Sequence, residues 1–131
     1  MIRVPPPDRR KNWTQKVKIE GQTFYACFGE HPDGRLIEIF VDAARQGTFV
    51  RGIMDALARV ISVALQCDVP ASELVKALRG LNYPPQGEVI GSARVTEVSS
   101  VSDWLAKEIE SVYLQKAEVK PAGKVCEGSG A

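Results

Sequence analysis

Histidine is nearly missing from this 131-residue chain, which holds only His31, and cysteine is scarce, at three residues. Cys27, Cys67 and Cys126 are widely spaced and odd in number, which argues against a disulfide framework and for a reducing compartment. With one histidine beside them, a Cys/His zinc site is excluded and no metal is expected. An excess of one charge is lacking too. The 17 Lys+Arg and 16 Asp+Glu leave a net charge of +1, too little to hold nucleic acid or an anionic membrane by general attraction. No apolar run approaches the ~18 residues of a membrane span. The opening "MIRVPPPDRRKNW" has no apolar centre of a secretory signal. The expected location is cytoplasmic.

What is present is the composition of a folded domain, 44% hydrophobic and 25% charged. Residues 1–13 read as an extended basic arm, with Pro5, Pro6 and Pro7 followed by Asp8, Arg9, Arg10 and Lys11. Residues 14–116 read as an α+β domain and 117–131 as a flexible tail without periodicity. "QKVKIEG", "TFYACFG" and "LIEIFVDA" alternate with period two and predict a three-stranded antiparallel meander, its second turn made by Pro32 and Asp33-Gly34. "FVRGIMDALARVISVALQ" predicts a long helix. Val50, Ile53, Met54, Leu57, Val60, Ile61, Ala64 and Leu65 make its apolar face, and Thr48 is its expected cap. "PASELVKAL" predicts a second helix ending at Gly80. Pro84 and Pro85 forbid helix in the loop that follows, where a short strand is expected near Ala93 to Val95. Ser100 to Asp103 is a capping-box pattern that opens a third helix, to about Gln115. Two to three helices are expected on one face of the sheet, the long one covering its apolar side.

Several residues carry candidate chemistry. Gly47 and Thr48 begin the long helix with Arg45 and Arg51 close by, an arrangement that can hold a phosphate. Glu38 sits mid-strand among Leu36, Ile37, Ile39 and Phe40. If that face is covered, the carboxylate needs a cation, which Arg59 or Arg51 can supply. Cys27 with His31, or Cys126 alone, are the thiol candidates. Tyr83, Pro84, Pro85, Trp104 and Tyr113 form an aromatic and proline-rich set suited to a protein partner. Homo-oligomerisation stays open.

Taken in order, "FYACFGEHPDGRLIEIFV", the "QGTF" turn, "DALARVISVALQCDVPASELVKALRGLNYPPQG" and "SSVSDWLAKEIESVYL" resemble the TSCPD domain near the C-terminus of adenosylcobalamin-dependent (class II) ribonucleotide reductases. The resemblance spans roughly residues 14 to 114. It implies a non-catalytic accessory or regulatory chain of such a reductase. Adenosylcobalamin and the radical chemistry would then belong to a partner catalytic chain, with none bound here. The family's tail carries a cysteine pair that thioredoxin reduces. This tail has Cys126 alone and lacks the Thr-Ser-Cys-Pro-Asp string, so a vestigial or regulatory thiol is expected. Two alternatives stand beside this reading, a small-ligand or nucleotide-phosphate sensor and a thiol-based redox protein.

Overall fold

The structure is a computed structural model that describes residues 2–114; Cys126 and the 117–131 tail lie outside the described residues. Five antiparallel strands form one sheet in the order β3-β2-β1-β4-β5, and with three helices they make a single α+β domain. The meander is β1 (Lys11–Ile19), β2 (Gln22–Glu30) and β3 (Leu36–Ala43). β1 starts at Lys11, inside the stretch read as arm, and pairs from there with Glu30. The arm itself is tied down where the Val4 amide donates to the Gln66 carbonyl at 2.9 Å.

The register puts Val17, Phe24, Ala26, Phe28, Ile39, Val41 and Ala43 on one face, and all are buried. Helix α3 (Val101–Ile109) adds Trp104, Leu105 and Ile109, each fully buried, to the same core. At roughly 25 cal/mol per Å² of apolar surface, this shared core dominates stability. The Ser100 hydroxyl caps α3, accepting from the Asp103 amide at 2.9 Å as the capping-box pattern requires. The helix then widens into a π turn over Glu110–Leu114.

The long helix α1 (Thr48–Gln66) takes a place the sequence did not suggest. It lies along β3, the edge strand, and satisfies that edge's free backbone groups with side chains. Ser62 Oγ accepts from the Ile39 amide at 2.9 Å and donates to the Ile39 carbonyl at 3.1 Å. Gln66 Nε2 donates to the Ile37 carbonyl at 3.1 Å. An open edge is thereby closed without another strand. The expected apolar face of α1 splits as a result. Met54, Ile61 and Leu65 are buried, joined by Ala58 from outside that set, whereas Val50, Ile53 and Val60 are exposed. Thr48 is not the cap of α1 either. Gly47 holds that position and no side chain caps the helix.

Helix α2 (Ala71–Leu78) packs beside α3. The loop after it holds two strands rather than the single one expected near Ala93 to Val95: β4 (Gly87–Ile90) on β1, and β5 (Glu97–Val98) on β4. Gly91 lets the chain turn between them. Its φ is +112°, and a Cβ there would lie 2.8 Å from the Lys16 carbonyl oxygen.

Candidate functional site

The outer face of the sheet carries Thr14, Lys16 and Lys18 of β1, Tyr25 and Cys27 of β2, and Glu38, Phe40 and Asp42 of β3. Strand alternation makes Lys16 and Lys18 neighbours on this face. Lys16 Nζ lies 5.7 Å from the Tyr25 ring centre, a cation–π distance. Arg45, in a left-handed conformation with φ 63°, follows β3 and closes the same corner. Lys16, Lys18, Tyr25 and Arg45, with Gln22, Thr23 and Gln46, line a cleft of about 320 Å³. Its lining contains three cationic side chains and no carboxylate.

The cleft overlaps only in part with the residues expected to hold an anion, Gly47, Thr48, Arg45 and Arg51. Only Arg45 joins it. Arg51 turns instead to Asp42, its Nε 3.1 Å from the carboxylate, so its charge is already matched. Lys16 and Lys18 went unnoticed in the sequence because each read as an ordinary polar position of an alternating strand. The available signal was their i, i+2 spacing beside the "EGQT" turn.

Glu38 is buried, at 6% exposure, and its cation is Arg10, not Arg59 or Arg51. Arg59 is spent on Asp55, one helical turn away at 2.9 Å on the surface. Edge-on docking of α1 keeps its arginines from reaching the sheet's outer face at Glu38, while the arm crosses it directly. Arg10 is held in turn by the Pro7 carbonyl, to which it donates at 2.6 Å. Glu38 is therefore a structural ion pair with a different partner.

Of the aromatic and proline set expected to face a partner, only Trp104 is interior. Trp104 is fully buried and donates through Nε1 to Glu108 at 3.0 Å. Ser92 also donates to that carboxylate, at 2.8 Å, and Arg94 stands 3.6 Å from its other oxygen. Tyr113 donates to Glu30 at 2.6 Å and accepts from Trp13 Nε1 at 3.0 Å. Burial, and then the bond to Glu30, push the Tyr113 hydroxyl well above the usual phenol range, so it stays protonated. Trp13 stacks on Phe28 with ring centres 4.3 Å apart. Tyr83 is half-buried, its hydroxyl 2.5 Å from that of Ser102. Pro85 is half-buried also, which leaves Pro84 as the exposed member.

Asp103 is the polar centre of this end of the domain. Its carboxylate accepts from the Gly80 amide at 2.8 Å and the Ser99 amide at 3.0 Å, with Lys107 Nζ 3.0 Å away. Burial pushes its pKa up, but the two amides and Lys107 outweigh that and hold it below the ordinary value. These bonds join the end of α2 to the start of α3.

Cys27 and Cys67 are both half-buried free thiols. His31 stays within its own turn, where Nδ1 accepts from the Asp33 amide at 3.3 Å. Among the described residues, no group of three or more His, Cys, Asp or Glu is placed to hold a metal ion, and no helix is long and apolar enough to cross a membrane.

The TSCPD domain model matches residues 2–113, almost the whole described chain. This chain belongs to the TSCPD domain family. The match starts at residue 2, so the arm that carries Arg10 to Glu38 falls within the TSCPD domain. Among curated proteins, the vitamin B12-dependent ribonucleotide reductase of Bradyrhizobium diazoefficiens is 34% identical over 113 residues, covering 86% of this chain and 9% of the relative. The protein of the same description from Agrobacterium fabrum gives the same figures. That of Rhodopirellula baltica is 30% identical over 118 residues, covering 90% of this chain and 11% of its own. The chain thus spans about a tenth of the length of these relatives. No solved structure matches the chain.

Proposed function

We propose that this TSCPD domain serves deoxyribonucleotide synthesis as a non-catalytic accessory or regulatory part of a ribonucleotide reductase. One observation carries the reading. The same domain, over 86% of this chain, is a small segment of B12-dependent reductases. On this reading cobalamin and nucleotide reduction belong to a catalytic chain, with thioredoxin as the external reductant.

The test is thioredoxin-coupled nucleotide reduction by a class II catalytic chain, with and without this protein. Turnover that rises equally with wild type and Cys126→Ser supports a structural accessory. A rise that Cys126→Ser abolishes makes the tail thiol a redox participant. No change in either case removes the reductase reading.

A second reading has its own support in the basic cleft. Lys16, Lys18 and Arg45 around an otherwise uncharged hollow suit a phosphate ester, and the Tyr25 ring offers a flat apolar wall for a base. This makes the domain a sensor of nucleotide phosphates, whether or not a reductase is its target.

A further inference from the structure

Helix α1 has two apolar faces, and only one of them is used. Opposite the buried row of Met54, Ala58, Ile61 and Leu65 runs a second row: Phe49, Ile53, Ala56, Val60, Val63 and, at the C-terminal cap, Cys67. The steps between these positions are four, three, four, three and four residues. That is the spacing of a helix–helix seam, and on a 3.6-residue helix it confines all six to a strip about 80° wide. None of them is charged. Phe49 is 78% exposed, Ile53 49%, Val60 67% and Val63 40%. Scattered surface apolar residues are ordinary, but an uncharged row in register over five turns is not.

We propose that this strip is the seam of a homodimer, in which α1 packs antiparallel against the α1 of a second copy. The two-fold axis passes at the level of Ala58, so Phe49 meets Cys67 of the partner subunit, Ile53 meets its Val63 and Ala56 its Val60. Side-chain volume selects this orientation. The antiparallel pair sets the largest residue of the strip against one of the smallest at each end. A parallel pair would press Phe49 on Phe49 and leave a gap at Ala56 on Ala56.

The flanks agree with a seam. Val50, Leu57 and Ala64 extend the apolar surface on one side. On the other, the guanidinium of Arg59 is already matched by Asp55 at 2.9 Å, so closing the seam strands no unpaired charge. The strip offers on the order of 500 Å² of apolar surface per copy, and pairing removes roughly 1,000 Å² in total, the lower bound for a specific interface. The resulting dimer is weak, with dissociation in the tens of micromolar.

Sedimentation equilibrium of the full chain, from low micromolar to several hundred micromolar, tests this. The wild type is expected to rise from monomer towards dimer mass. Val60→Glu stays monomeric throughout, with an unchanged circular dichroism spectrum and melting temperature at low concentration. A wild type that is monomeric at every concentration overturns the proposal, and so does a dimer that Val60→Glu leaves intact.

Orientation is read by cross-linking. Phe49→Cys in a Cys27→Ser, Cys126→Ser background is expected to give a disulfide-linked dimer on mild oxidation. Further change of Cys67→Ser abolishes it. Within one chain positions 49 and 67 are about 27 Å apart along the helix, too far to bridge. A linked dimer that survives Cys67→Ser means parallel pairing and overturns the arrangement. If the wild type is monomeric and Val60→Glu abolishes binding to a class II reductase catalytic chain, the strip belongs to that chain and the homodimer is refuted.

Discussion

Glu38 lies directly across the β2–β3 ladder from Gly29, and its side chain occupies the space a side chain at position 29 would need. A Cβ on Gly29 would lie 2.6 Å from both Cγ and Oε2 of Glu38. Gly29→Ala is therefore expected to displace the carboxylate from Arg10 and to cost about 2 kcal/mol. Urea unfolding measures this as a lower midpoint with an unchanged slope. A midpoint equal to that of wild type would mean that Glu38 relaxes freely.

Arginine substitutions separate the two candidate partners of Glu38. Arg10→Ala leaves a buried carboxylate without its cation and is expected to cost about 2 kcal/mol, less than a fully buried pair because Arg10 is itself partly exposed. Arg59→Ala removes only a surface pair and should stay within about 0.5 kcal/mol of wild type. Thermal melts of both variants side by side give the comparison. Equal losses would contradict the assignment.

Asp103 sets an acid limit on stability. Its pKa in the folded chain is below that in the unfolded chain, so its contribution is complete above the unfolded value of about 4. That contribution is lost as pH falls through the lower folded value. Asp103→Asn should cost about 2 kcal/mol at neutral pH and flatten the fall in stability below pH ~4. Chemical denaturation from pH 7 down to pH 3 tests both halves. An unchanged acid slope would assign the pH dependence to other carboxylates.

Lys18→Glu combined with Arg45→Glu reverses most of the charge in the basic cleft while touching no buried contact. Wild type is expected to show a melting temperature that climbs with added nucleoside triphosphate, and with inorganic triphosphate as a control for the sugar and base. The double variant should melt at the same temperature with and without ligand. Flat wild-type traces across the series would remove the sensor reading.

Features written in a few neighbouring residues were readable in the sequence. The β2–β3 turn depends on Pro32, Asp33 and Gly34, and the start of α3 on Ser100 and Asp103. Each is a local demand on the backbone, and the structure has both. What escaped was set by distance. Arg10 and Glu38 are 28 residues apart, and no local pattern joins an arm to the β2–β3 ladder. α1 was misassigned for another reason. Its apolar residues cover well over half of the helix circumference, and hydrophobicity cannot say which part of that arc meets the protein. Trp104 offered a clue in Glu108, which one turn later is placed to accept its indole proton. The candidate site was harder still. Arg45 was recognised, but the lysines that join it come from a strand that alternates like any other.

Ser62 holds both the amide and the carbonyl of Ile39 with one hydroxyl. It acts as a locating pin between helix and strand. Sliding α1 by one residue, or rolling it by a fraction of a turn, would unseat both bonds at once. The direction in which the outer row of α1 looks is thus tied to that oxygen, and to the Gln66 amide one turn further on. A Ser62→Ala chain would keep its hydrophobic contacts yet lose the angular reference of the helix, and any surface built on that helix would lose its aim.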